Sequence, residues 1–110
     1  MCARNGDRSG QGMPQYKISV RADQAIAGIA EYTDTAYGEN QTDAYLAGLD
    51  ASFKLLASFP KMGIAVFELK QGLRRYKYQR HYVFYTERSD HILIEAVSHV
   101  AMNVRPELFE

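Results

Sequence analysis

A chain of 110 residues with 46% hydrophobic and 24% charged residues has the size and composition of one globular domain with a thin core. A single cysteine, Cys2, excludes an internal disulfide and a cysteine metal cluster, and no apolar run approaches the ~20 residues of a membrane span. The 13 Lys+Arg cancel the 13 Asp+Glu, but the charge is unevenly placed.

Residues 1–14 carry no hydrophobic period and are rich in Gly, Arg and Ser. They are expected to form a disordered tail, with Met13 an alternative start and 15–110 a single domain. No charged-then-apolar signal segment opens the chain, so the cytoplasm is the simplest compartment. Tyr16–Val20 alternates and predicts a strand. From Asp23 to Tyr37, Ile26, Ile29, Tyr32 and Thr33 fall on one helical stripe, and Gly38 suits a helix stop. Asn40 and Asp43 suit a new start. Leu46, Leu49, Phe53, Leu56 and Phe59 then recur at helical spacing until Pro60. A loop of a few residues between these two helices implies an antiparallel helical hairpin.

Beyond residue 65 the period changes to two. Val66–Lys70 predicts a strand, Gln71-Gly72 a turn, and Leu73–Tyr78 a second strand or an irregular arm. Arg80–Thr86 and His91–Val97 predict a hairpin about Arg88-Ser89-Asp90, with Ile92, Ile94 and Ala96 on one face and Leu93 and Val97 on the other. The order is strand, helix, helix, antiparallel meander. It implies an α+β fold in which an antiparallel helical hairpin covers one face of a small antiparallel β-sheet.

Residues 22–59 hold six acids against Lys54, whereas residues 61–88 hold seven bases against Glu68 and Glu87. One acidic and one basic surface follow, the basic one open to an acidic partner, protein or nucleic acid. His81, His91 and His99 lack the i, i+4 spacing of a metal-binding helix. Neither metal nor cofactor is expected.

Five pieces in this order resemble the ParE/RelE toxin superfamily, over about Tyr16 to Leu108 and nearer the ParE branch. They are the first strand with Ala25-Ile26-Ala27-Gly28-Ile29-Ala30-Glu31-Tyr32, the run Leu49…Phe53…Leu56…Phe59-Pro60 followed by Gly63, the segment Gly72-Leu73-Arg74-Arg75, the aromatic strand Tyr82-Val83-Phe84-Tyr85, and the ending Val97-Ser98-His99-Val100-Ala101-Met102-Asn103. Asn103 stands where ParE-type members usually carry Asp. The resemblance implies a toxin paired with a ParD-like antitoxin, which would touch DNA only indirectly, through the antitoxin complex. ParE-type members are associated with poisoning DNA gyrase, and RelE-type members with cutting messenger RNA on the ribosome.

Cutting RNA needs a base, an acid and cations around the phosphorane. Arg74, Arg80 and His99 would make up that site, with Arg74 near His99, but no Tyr or Lys follows His99 to complete it. The structural alternatives are that His99 caps the last strand and that Arg74 pairs with Glu95 or Glu68. Without a catalytic set the chain is expected to act by binding, through Arg74, Arg75, Tyr76, Lys77, Tyr78, Arg80 and Met102, since Tyr and Arg anchor interfaces. A toxin fold that has lost toxicity and only binds its antitoxin is a third reading.

Overall fold

The computed structural model describes residues 15–109, so the tail expected over 1–14 lies outside the described residues. Strand β1 (Tyr16–Ile18) leads into helix α1 (Val20–Tyr37) and helix α2 (Glu39–Ser58). Then come β2 (Ile64–Ala65), β3 (Leu73–Tyr78), β4 (His81–Glu87), β5 (Ile92–His99) and a short 3-10 helix (Pro106–Phe109). The sheet runs β1-β5-β4-β3-β2. All its pairings are antiparallel except β1 with β5, which is parallel, so the sheet is mixed at one edge.

Helix α1 starts earlier than its apolar stripe predicts. The Ser19 hydroxyl accepts the Ala22 N–H at 3.0 Å, which caps the helix and draws Val20 and Arg21 into its first turn. Asp23 then sits where the helix dipole favours an anion. The loop between the helices shrinks to Gly38, whose φ of 95° is open to glycine and strained for other residues. Its N–H closes α1 on Asp34, and its carbonyl accepts the Thr42 hydroxyl at 3.0 Å.

The inner face of α2 supplies Tyr45, Leu49, Phe53 and Leu56, which pack on Val83, Tyr85, Ile92, Ile94 and Val97 of the sheet. Each such side chain contributes about 1.5–3 kcal/mol by leaving water. Tyr16 joins this layer edge-on to Phe53 and donates its hydroxyl to Asp50. Burial, then Asp50, pushes the Tyr16 phenol up to about 12. Phe59 and Tyr32, expected on the inner stripes, are exposed; Phe59 is the residue that follows the last turn of α2 and does not lie within it. The other sheet face buries Val66, Leu73, Phe84 and Ala96 under Val104, Leu108 and Phe109, so the chain's last turn covers it.

The strand expected at Val66–Lys70 is instead a pair of turns. The Leu69 N–H bonds to the Val66 carbonyl and the Leu73 N–H to the Lys70 carbonyl, at 2.9 and 3.0 Å. Val66 and Leu69, three residues apart, both turn to the second core, a spacing that an extended strand cannot provide. Strand β2 lies just before this segment, at Ile64–Ala65.

Between Phe84 and Tyr85 the register against β5 slips, so that Phe84 faces Ala96 while Tyr85 faces Ile94. Glu95 is the extra residue of this bulge. The predicted alternation therefore breaks there. Ile94 and Val97 face the helices, while Ala96 joins Phe84 on the far side. The bulge also lets two successive carbonyls reach Ser19: Ile94 O accepts the Ser19 N–H and Glu95 O accepts its hydroxyl, both at 2.9 Å. The buried Glu95 carboxylate takes Thr86 Oγ1 at 2.7 Å, Lys70 Nζ at 2.8 Å and Arg88 Nη2 at 3.5 Å.

Replacing Glu95 by Ala strands the Thr86 hydroxyl and releases the 66–73 turns. The expected loss is about 1–3 kcal/mol in urea unfolding, and an unchanged midpoint would refute this role. The two glycine positions Gly63 and Gly28 should respond with opposite signs. A Cβ on Gly63 would lie 2.8 Å from the Arg75 carbonyl oxygen, so Gly63→Ala should destabilise by about 2 kcal/mol or more. A Cβ on Gly28 in α1 meets nothing within 4 Å, so Gly28→Ala should stabilise by about 1 kcal/mol. Thermal melts of the two variants check both signs.

Candidate functional site

Strand β3 carries most of the residues singled out for binding, and its alternation splits them between the two faces. Leu73 is buried on the far face, and Arg75 beside it lays its guanidinium 4.4 Å over the Tyr82 ring. The Arg75 Nε is buried and has no hydrogen-bond partner among the described residues. Lys77, two residues on, is exposed. On the helix side, Tyr76 and Tyr78 are half-buried against the main core. The Tyr78 hydroxyl donates to the Tyr45 carbonyl at 2.9 Å and lies where any side chain on Gly48 would have to go. Tyr78 therefore ties the sheet to α2, and both tyrosines keep part of their surface exposed.

Gln79 and Arg80 form the two-residue turn into β4, with Gln79 at a φ of 53°, a conformation that usually falls to Gly or Asn. Arg80 is exposed, and its carbonyl accepts the Val100 N–H at 2.9 Å. This ties the turn to the end of β5. Met102 lies just beyond, 59% exposed, with its N–H on the His99 carbonyl.

At this end of the sheet Tyr78, His81 and His99 stand side by side on three adjacent strands. The His81 Nδ1 is 3.0 Å from the Tyr45 hydroxyl, and the His81 and His99 rings meet edge-on at 5.5 Å. Burial, then the neighbouring His99, pushes the His81 pKa down, so its ring is neutral at neutral pH. Burial, then Tyr78, raises the Tyr45 phenol to about 12. The two histidines and Tyr45 floor an open groove of about 910 Å³ that continues along α1 past Ala25, Ile29 and Tyr32. Arg80 stands in its wall. His99 is occupied locally, since its Nδ1 accepts the Ala101 N–H at 3.0 Å and closes the turn after β5.

The expected closeness of Arg74 and His99 does not occur. Arg74 faces Tyr85 at one end of β3, whereas His99 faces His81 at the other, roughly 13 Å along the strands. Nor does Arg74 pair with Glu95 or Glu68. Its Nη1 donates to the Gly63 carbonyl at 2.8 Å and lies 3.4 Å from the Lys61 carbonyl, and its guanidinium sits 5.7 Å from the Phe67 ring. Glu95 is already satisfied by Lys70, Arg88 and Thr86. Arg80 and His99 do share the groove, joined by His81 and by Tyr45. The sequence signal for Tyr45 is its place one turn before Leu49 on the inner stripe of α2, where a tyrosine brings a hydroxyl into an otherwise apolar row. Among the described residues no three His, Cys, Asp or Glu side chains gather as a metal site.

Residues 16–104 match the family described as the ParE toxin of the type II toxin-antitoxin system, parDE. The chain is 32% identical over 96 residues to Toxin ParE1 of Caulobacter vibrioides, covering 87% of this chain and 99% of that protein. It is 29% identical over 97 residues to Toxin ParE of Escherichia coli, covering 87% and 94%. In fold it is similar to a chain of the chromosomal ParDE TA system from P. aeruginosa, with a TM-score of 0.67 at 13% identity, covering 79% of this chain and 96% of that one. The match over 16–104 takes in both helices, the whole sheet and the His99 turn, and the chain belongs to the ParE toxin family of type II toxin-antitoxin systems.

Proposed function

We propose that this toxin is neutralised by a ParD-like antitoxin and acts by binding DNA gyrase, without making or breaking a covalent bond itself. The observation that carries this reading is the dispersal of the groups that RNA cleavage would need. Arg74 is held by backbone carbonyls at the far end of β3, and His99 is engaged by its own turn. Losing one member of a concerted acid/base set costs about 100- to 10,000-fold in rate. Binding needs no such set, only roughly 800 Å² per partner with a few Tyr or Arg anchors. Arg75 and Lys77 on the far face of β3, Arg80 and Met102 in the turns beside it, and the exposed parts of Tyr76 and Tyr78 on the helix side together supply such anchors around this strand.

The interferase reading keeps one specific observation in its favour, the grouping of Arg80, His81 and His99 in the groove. The two readings separate in the test tube. The purified toxin is expected to inhibit gyrase supercoiling and to leave ribosome-bound messenger RNA intact. Lys77→Glu, on an exposed side chain, should weaken the inhibition without changing the melting temperature. His99→Ala should lower toxicity only as far as it lowers stability. Codon-linked cleavage abolished by His99→Ala in a folded protein would overturn the proposal.

The antitoxin should also stabilise the toxin, because a partner that binds only the folded state shifts the unfolding equilibrium. At 100 times its dissociation constant the expected gain is about 2.7 kcal/mol. A melting temperature that does not move when the cognate ParD-like antitoxin is added would refute the pairing.

A further inference from the structure

The end of the sheet remote from His81 and His99 holds a second hollow, of about 390 Å³, at the start of β3 and the end of β4. Lys61, Lys70, Arg74 and Arg88 stand around it, with Phe67 and Glu87. We propose that this hollow binds the phosphates of a single nucleic-acid strand, DNA or RNA, with Phe67 as the surface on which a base stacks.

The charges carry the first part of the argument. Four cations share two carboxylates. Lys61 pairs with Glu87 at 3.0 Å, and both ends of that pair are exposed, so the attachment is weak and easily exchanged. Lys70 and Arg88 both lean on Glu95, which can neutralise only one of them. Arg74 has no carboxylate. It is held by the carbonyls of Gly63 and Lys61 through Nη1 alone, so its position is set without a counter-ion. Two positive charges are therefore unmatched around a concave surface, the arrangement that favours an incoming anion. A guanidinium suits the phosphate fork in particular.

Phe67 carries the second part. It is 52% exposed and lies beside the Arg74 guanidinium, at 5.7 Å. An exposed ring next to a fixed cation matches a strand's alternation of base and phosphate. An acidic protein segment would satisfy the cations and leave the ring uncovered. Gly72, at a φ of 80°, lines the same hollow, and nothing lies within 4 Å of a Cβ added there, so the chain is uncrowded at this rim. The exposed acids of the helices, Asp23, Glu31, Asp34, Glu39 and Asp43, repel a polyanion from the other layer and orient its arrival.

The inference is independent of the gyrase reading, since gyrase is absent from its test. Fluorescence anisotropy of the purified toxin with labelled oligodeoxythymidylate and oligouridylate of about 12 nucleotides measures affinity across a salt series. Stronger binding of one or the other identifies DNA or RNA as the source. The double variant Lys61→Gln/Arg88→Gln should reduce the slope of log affinity against log salt by about 1.4, roughly 0.7 for each phosphate no longer neutralised. Phe67→Ala should weaken single-strand binding about fivefold or more and leave a duplex of the same charge unaffected. Arg21→Gln, on the helical layer, should change neither. Because the Phe67 ring is exposed, its variant decides the matter if the double variant melts early. The proposal fails if neither oligonucleotide binds, if Arg21→Gln has the same effect as the double variant, or if Phe67→Ala leaves single-strand affinity unchanged. It also fails if polyglutamate displaces the strand as well as an oligonucleotide of equal charge does.

Discussion

The bulge at Glu95 is the contact on which both layers depend. Its backbone faces the helices, where the Glu95 and Ile94 carbonyls together hold Ser19, the residue that starts α1. Its side chain faces the other way, where the carboxylate gathers Thr86, Lys70 and Arg88. A regular strand would offer Ser19 one carbonyl and turn the next away. The extra residue gives two, and so sets where the helical hairpin enters the sheet. It also fixes the 66–73 turns, and with them the basic hollow, against the opposite face. A buried carboxylate of this kind is tolerated because three donors surround it.

Two kinds of order divide the molecule. Apolar order separates the faces of the sheet, with α2 on one and the final 3-10 turn on the other. Charge order divides the layers, since residues 22–59, which carry the helices, hold six acids against Lys54, and residues 61–88, which carry β3, hold seven bases against Glu68 and Glu87. The second follows from the first. Helix outer faces and sheet-edge turns are the surfaces left to solvent, and each carries an excess of one sign. A molecule of zero net charge thereby presents a directed field to whatever it meets.

Much of this is legible in the residues. Leu49, Phe53 and Leu56 repeat at helical spacing and are buried together, and Pro60 follows the end of α2. The aromatic strand and its hairpin partner alternate clearly enough to be placed within a residue or two. What escapes has physical reasons. A bulge adds one residue without a signature of its own, so alternation alone puts Ala96 on the wrong face. Val66–Lys70 mixes apolar and polar residues over the length of a short strand, yet successive turns can bury Val66 and Leu69 just as well. The parallel edge depends on β1 reaching β5, a pairing that no local pattern records. Of the candidate site, Arg80 and His99 fall together, but Arg74 does not. Their separation depends on strand register, which spacing along the chain does not reveal.

That parallel edge bears on how the protein comes into being at the ribosome. Ser19 donates its hydroxyl to a carbonyl 76 residues further along the chain, and β1 has β5 as its neighbour in the sheet. Such pairing is about as non-local as a domain of this size allows, and non-local closure is slow. While synthesis proceeds, the helical hairpin can form, but its anchor does not yet exist, and the apolar face of α2 has no sheet to cover. The toxin reaches its finished shape only after the final strand has been made, and a nascent chain halted before Glu95 lacks the carbonyls that seat its first helix.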